Sequence, residues 1–180
     1  MGELTWWLSP HPEWEPGENW PEHVPVVRYD TDEAVVLIDP FLPPDGLFDP
    51  HGKPVQVLLT APWHVRGTDD FVGRYGASVW RQPDPLPSGV EAVAPEGDPV
   101  ETLFFIPEHR TLVPGDVFSG TGGRFHVFVA DEVEDRDAFL GSLERLADLP
   151  VERVIVAHGD PVLTDGAAHI RTAVAEARAG

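Results

Sequence analysis

Four apolar runs in this chain end on a polar residue beside a turn former, and those residues are the ones able to do chemistry. Ala-Val-Val-Leu-Ile-Asp-Pro (34–40) ends on Asp39, and Val-Leu-Leu-Thr-Ala-Pro-Trp-His (57–64) on Thr60 and His64. Thr-Leu-Val-Pro-Gly-Asp (111–116) ends on Asp116, and Val-Ile-Val-Ala-His-Gly-Asp (154–160) on His158. Buried strands that finish at one edge deliver such groups to shared loops, where α/β enzymes collect their polar residues. Imidazole nitrogen and carboxylate oxygen hold zinc or iron where thiolates are missing. Two His and one carboxylate leave open positions for water or substrate, and a metal-bound water becomes hydroxide near neutral pH. Spacing alone does not separate this from the alternative, in which each His is a satisfied structural group at a strand end.

Several other chemistries are excluded or unsupported. The chain has no Cys, which removes disulfides, iron–sulfur clusters, thiolate zinc sites and a Cys nucleophile. Ser9, Ser78, Ser88, Ser119 and Ser142 sit outside any nucleophile-elbow context. Gly120-Thr121-Gly122-Gly123 lacks the Lys and helix of a phosphate loop. The acidic run 131–135 reads as a solvated helix start without the alternation of a calcium loop. Net charge is −19, from 31 acids against 12 bases, which disfavours nucleic acid and anionic membranes as partners. No apolar run is long enough to span a bilayer and the first residues lack the pattern of a secretion signal, so a cytoplasmic protein is expected.

The elements that must position these residues are short. At 180 residues and 42% hydrophobic the chain suits one globular domain, 1–180, with 37 Gly and Pro spread through it as turns. Strands are expected over 24–29, 34–39, 55–60, 78–81, 102–106, 110–113, 125–129 and 154–157. The first two read as a hairpin, as do 102–106 and 110–113. Helices are expected over 68–75, 135–149 and 165–178 from the spacing of Phe71 and Val72, of Phe139, Leu140, Leu143 and Leu146, and of Ile170 and Val174. The pattern is α/β with hairpins, not a doubly wound parallel sheet. Trp6 and Trp7 read as an edge strand covering the core, or as an aromatic rim facing a substrate; exposed, they also offer a homodimer contact. His109 is expected to be solvent-exposed in its hairpin turn.

The order of strand ends resembles the metallo-β-lactamase superfamily, most clearly over 104–162. Phe-Phe-Ile-Pro-Glu-His-Arg-Thr-Leu-Val-Pro-Gly-Asp (104–116) is similar to the hairpin that leads to the family's metal-bridging Asp. Residues 117–124 and the helix over 137–149 resemble the next segment of glyoxalase-II-like members. Val154–Pro161 resembles the strand carrying the last ligand His, and Leu37-Ile38-Asp39 the strand whose Asp supports the metal-binding loop. The resemblance implies a single compact αββα sandwich. It also shows where this chain departs. The family's His-x-His-x-Asp-His motif comes after a strand ending like Leu59-Thr60. Aligned without gaps, Ala61 and Trp63 replace two His, Val65 the Asp and Arg66 the final His, and His64 falls on a non-ligand position. No His precedes the 102–106 strand; that stretch reads Glu-Gly-Asp-Pro-Val-Glu (96–101).

Asp116 and His158 therefore survive from a set of about seven ligands, too few for a dinuclear zinc site. One expectation is a mononuclear site of zinc, iron or manganese with His64 as third ligand; another uses Glu101 or Asp98. The favoured expectation has no metal, with Arg66 ion-paired to Asp116 in a polar cluster with His158 and His64. As a function, the resemblance implies a divergent hydrolase of small ester, thioester or lactone-like molecules. In it His64 or His158 is base or ligand, Asp116 is ligand or His-orienting carboxylate, and Arg66 clamps an anionic substrate beside Trp63. The alternative is a non-enzymatic protein binding a small molecule or a partner in that pocket.

Overall fold

The computed structural model describes residues 2–98, 100–131 and 133–180. Pro99 and Glu132, which fall in two stretches read above, lie outside the described residues. The chain forms strands β1 (Glu3–Pro10), β2 (His23–Asp30), β3 (Val35–Ile38) and β4 (Val55–Leu58), then helix α1 (Thr68–Tyr75). Next come strands β5 (Ser78–Val79), β6 (Glu91–Val93), β7 (Leu103–Ile106), β8 (Thr111–Val113), β9 (Phe118–Ser119) and β10 (His126–Val127). Helix α2 (Arg136–Leu146), strand β11 (Arg153–Val154) and helix α3 (Gly166–Ala179) complete it.

Two sheets pack face to face. The first runs β1-β2-β3-β4-β5 and the second β11-β8-β7-β6, with β9 and β10 pairing separately. Between them lie Val27, Tyr29, Val36, Ile38 and Leu58 from one sheet and Phe104, Ile106 and Val113 from the other. The outer face of the first sheet puts Val35, Leu37, Val55 and Val57 against Phe71 of α1 and Phe48. The outer face of the second puts Leu103, Phe105 and Leu112 against Phe139, Leu140 and Leu143 of α2 and Ile170 and Val174 of α3. The layers are α1, sheet, sheet, α2 with α3: the αββα sandwich. β3 is buried on both faces, which is why it reads as an unbroken apolar run rather than an alternating one.

Local signals match the elements. Asp135 caps α2 by accepting the Ala138 backbone N–H, and its acid neighbours sit at the positive end of the helix. Both expected hairpins form as antiparallel pairs, β2–β3 and β7–β8. β3, β4 and β5 run parallel, α1 making the last crossover. The strands are shorter at their C-terminal ends than their apolar runs, because the chain leaves the ladder to form the loops that carry Asp39, Thr60 and His158. β6 and β9 escape sequence reading: one is three residues and half-exposed, the other is two residues. Trp7 lies on edge strand β1 and packs on the α1 side of the core, while Trp6 is 39% exposed. His109 is half-buried rather than solvated, with Nε2 3.1 Å from the Gly2 carbonyl oxygen and its ring edge-on to Tyr29.

Phe104 is fully buried between the sheets with Trp80 edge-on to its ring. Replacing it with Ala leaves a cavity where little can collapse, so a loss of about 3–5 kcal/mol in urea denaturation is expected.

Candidate metal centre

The site begins at the end of β3. Asp39 adopts a left-handed backbone conformation (φ 49°), which turns its carboxylate beneath the next loop. Oδ1 accepts the Thr60 backbone N–H at 2.8 Å and Oδ2 accepts the Thr60 hydroxyl at 2.5 Å. That hydroxyl is also 2.7 Å from His64 Nδ1. Its single proton is spent on Asp39, so Nδ1 of His64 must be the donor in that contact. The imidazole is thereby fixed with Nδ1–H pointing to Thr60 and Asp39 Oδ2 (3.2 Å) and Nε2 pointing the other way. The loop is tightly wound, with the His64 N–H donating to the Ala61 carbonyl and the Gly67 N–H to Pro40.

Nε2 of His64 faces Asp116, which comes after β8 through Pro114 and Gly115. It lies 3.3 Å from Asp116 Oδ2, and His158 Nε2 lies 3.4 Å from Asp116 Oδ1. Gly120 and Gly159 place His158: the Gly120 N–H donates to the His158 carbonyl, and a Cβ on either glycine would overlap the backbone of the other strand. Trp63 Nε1–H donates to Asp116 Oδ2 at 3.0 Å. His64, Asp116 and His158 each offer one ligand atom, all within 4.8 Å of one another.

Charge is unevenly shared here. Burial resists a charge on His64, but Asp39 and Asp116 on either side outweigh it and push it up to about 9. Burial would raise Asp116, yet the charge of His64, the Trp63 hydrogen bond and His158 hold it well below the usual carboxylate range. Asp39 is likewise lowered, with His64 and Arg66 overcoming burial. His158 is pushed down to about 4, chiefly by burial, and is neutral at pH 7. Burial, with Asp116 nearby, pushes Glu101 up to about 9.

The donor set fits a divalent ion that takes nitrogen and oxygen ligands. Among the described residues His64 Nε2 and Asp116 Oδ1 are buried without a hydrogen-bond partner, because the short His–Asp separations lack hydrogen-bond alignment; His158 Nδ1, the ring nitrogen that does not face Asp116, is buried without a partner as well. Asp39 behind His64 is the carboxylate that orients a ligating imidazole and raises its basicity.

The gap-free alignment leaves His64 off the ligand positions; the tight turn of its loop instead rotates its ring onto Asp116. The expected ion pair of Arg66 with Asp116 is not made. The Arg66 guanidinium donates to the Pro25 and Asp39 carbonyls, both at 3.1 Å, and lies over the Phe41 ring. It braces the loop from behind, and the cavities beside Asp116 are lined by other described residues. Trp63 is 48% exposed and caps Asp116 through its indole N–H.

Two cavities flank Asp116, of about 450 and 360 Å³. Trp63, Glu101 and Phe128 line the first. Trp20, His126, Phe128 and His158 line the second. Trp20 stands edge-on to His158 at 4.9 Å between ring centroids, and His11 packs on Trp20. Sequence reading missed Trp20 and Phe128, since nothing local marks a loop aromatic as site-facing. His169 packs edge-on against Phe125, away from these groups.

This architecture is the metallo-β-lactamase fold. The structure is similar to that of an archaeal metallo-β-lactamase superfamily protein from Sulfolobus tokodaii, with TM-score 0.66 and 14% identity over 96% of this chain and 85% of that one. A metallo-β-lactamase from Pseudomonas aeruginosa, solved in its mono-zinc form, matches with TM-score 0.61 and 10% identity over 98% and 92%. A chemotaxis sensor solved as a peroxy diiron species matches with TM-score 0.61 and 13% identity over 96% and 90%. The chain matches no protein-family model and no curated protein sequence. No helix of the described residues is long and apolar enough to cross a membrane.

The raised values of His64 and Glu101 set a pH dependence for chelator-treated protein. Each holds its proton more tightly folded than unfolded. Their stabilisation is therefore fully present below the unfolded value and is lost as pH rises toward about 9. Thermal melts should show Tm falling from pH 6.5 to 9, and Glu101→Gln should flatten the decline.

Proposed function

We propose that this protein is a divergent member of the metallo-β-lactamase superfamily that holds one metal ion through His64, Asp116 and His158 and hydrolyses a small ester, thioester or lactone-like bond. The observation that carries this is the convergence of the three ligand atoms to within 4.8 Å, with Asp39 oriented behind His64. Ala61, Trp63, Val65 and Arg66 stand where the family's motif carries ligands, which reduces the usual dinuclear set to a single site. Zinc, iron and manganese all suit the donors. The mono-zinc and diiron neighbours support the reading that this fold accommodates either ion count and more than one metal.

When bound, the ion supplies a Lewis acid and a water of lowered pKa. The chain supplies the rest. Asp39 and Thr60 fix the His64 ring so that Nε2 faces Asp116, and the proton that the flanking carboxylates keep on Nε2 must leave before that nitrogen can bind. His158 reaches the site neutral, as a ligand must be. Asp116, held by the Trp63 N–H, takes its carboxylate geometry from that bond. Trp20 and Phe128 wall the two cavities and limit water around the reacting bond.

Elemental mass spectrometry on untagged protein purified without chelator tests this. About one ion per chain is expected, lost in His158→Ala, with chelator lowering Tm because metal binds the folded state. Hydrolysis of a model ester, thioester or lactone should fall with it; activity retained in His158→Ala would overturn the assignment.

A second reading has a specific observation behind it. A protonated His64 between Asp39 and Asp116 already balances charge without an ion. In that case the protein binds a small molecule without catalysis. Metal-free protein whose stability is indifferent to chelator would favour it.

A further inference from the structure

We infer that the larger cavity beside Asp116 receives an organic cation, so that the substrate of the proposed site carries an ammonium or guanidinium group next to the reacting bond. That this ligand is a substrate rests on the proposed function; that it binds does not.

The cavity is lined by Asp98, Glu101, Asp116 and Asp131, and its aromatic surfaces are Trp63 and Phe128. Among the described lining residues no side chain is basic. Glu101 is the second, independent observation: it is 5% exposed, lines the cavity, and its Oε2 is buried without a hydrogen-bond partner among the described residues. A buried carboxyl oxygen left unspent costs free energy that a donor-bearing ligand recovers, and the charge that a cation would meet comes from Asp98, Asp116 and Asp131. Asp98 holds it there, accepting the Val100 and Glu101 backbone N–H groups on Oδ1. Trp63 and Phe128, 48% and 50% exposed, offer ring faces to a cation.

The Arg66 guanidinium donates through Nη1 to the Pro25 and Asp39 carbonyls behind the loop and is not among the described residues lining this cavity. It cannot clamp an anion in this cavity, which reverses the substrate charge expected from sequence. An anionic ligand would meet carboxyls on several sides, whereas a cation meets opposite charge and π faces. The net charge of −19 adds long-range attraction of the same sign.

Choline and its uncharged isostere 3,3-dimethylbutan-1-ol separate charge from shape, and the quaternary nitrogen cannot ligate a metal. Binding would be followed through the Trp63 indole N–H resonance, on both metal-loaded and chelator-treated protein. Choline should bind about tenfold tighter than the alcohol. Asp131→Asn, on the exposed rim and safe for folding, should weaken choline about threefold or more, while Glu101→Gln, which replaces a carboxyl that burial keeps protonated, should leave it within about twofold. Asp32→Asn, in the β2–β3 turn away from the site, should leave it unchanged. Equal binding of the isosteres, or no effect of Asp131→Asn, would overturn the inference. So would a second equivalent of zinc that is lost in Glu101→Gln, since those carboxyls would then serve a metal. Protein that binds no metal yet still binds choline would defeat the hydrolase reading and leave this one standing.

Discussion

The Asp39 carboxylate is the constraint on which the site depends. It is buried, lies at a left-handed residue, and spends both oxygens on the loop after β4. Those bonds decide which way the loop turns and keep the His64 Nδ1–H directed at Thr60 and Asp39. Without them His64 would be an ordinary loop residue. With them its Nε2 is delivered to Asp116 from one side while His158 arrives from the other. A buried carboxylate is costly unless its acceptors are filled, and here the Thr60 N–H, the Thr60 hydroxyl and His64 fill them.

The sandwich makes this convergence possible. β3 and β4 belong to one sheet, β8 and β11 to the other, and all finish at the same edge. The apolar layer between the sheets, with Phe104 and Ile38 among its fully buried members, fixes the distance across that edge. The Gly120–Gly159 approach sets the height of His158. Arg66 braces the same loop from behind. It does not replace a cation in front, because the Pro25 and Asp39 carbonyls hold its guanidinium.

Much of this is legible in the chain. The apolar runs ending in Asp39, Thr60, Asp116 and His158 locate the strand ends, because a buried strand must be apolar and its exit must turn. The α2 and α3 stripes are long enough to show a helical period. The resemblance over 104–162 carries the layer order. The loop from Ala61 to Gly67 is harder: a gap-free alignment reads positions, but a tight turn sets side-chain direction, and that is what brings His64 inward. Arg66 misleads for the same reason, since a basic residue in a ligand's position suggests a countercharge while its carbonyl partners come from distant segments. Glu101 is visible as an acid ahead of β7, but its burial results from packing beside Gly115 and Thr60, which no local pattern encodes. Trp20 and Phe128 reach the site only through the folded path of long loops.

The central claim is that His64, Asp116 and His158 converge to bind one ion. Anomalous diffraction at a metal absorption edge, on crystals grown from protein purified without chelator, tests it most directly. The expected result is one anomalous peak per chain bonded to one atom of each of the three side chains, at about 2.0–2.2 Å. A contradicting result would be a His64 imidazole hydrogen-bonded directly to Asp116 with no peak between them, even after soaking with zinc and manganese.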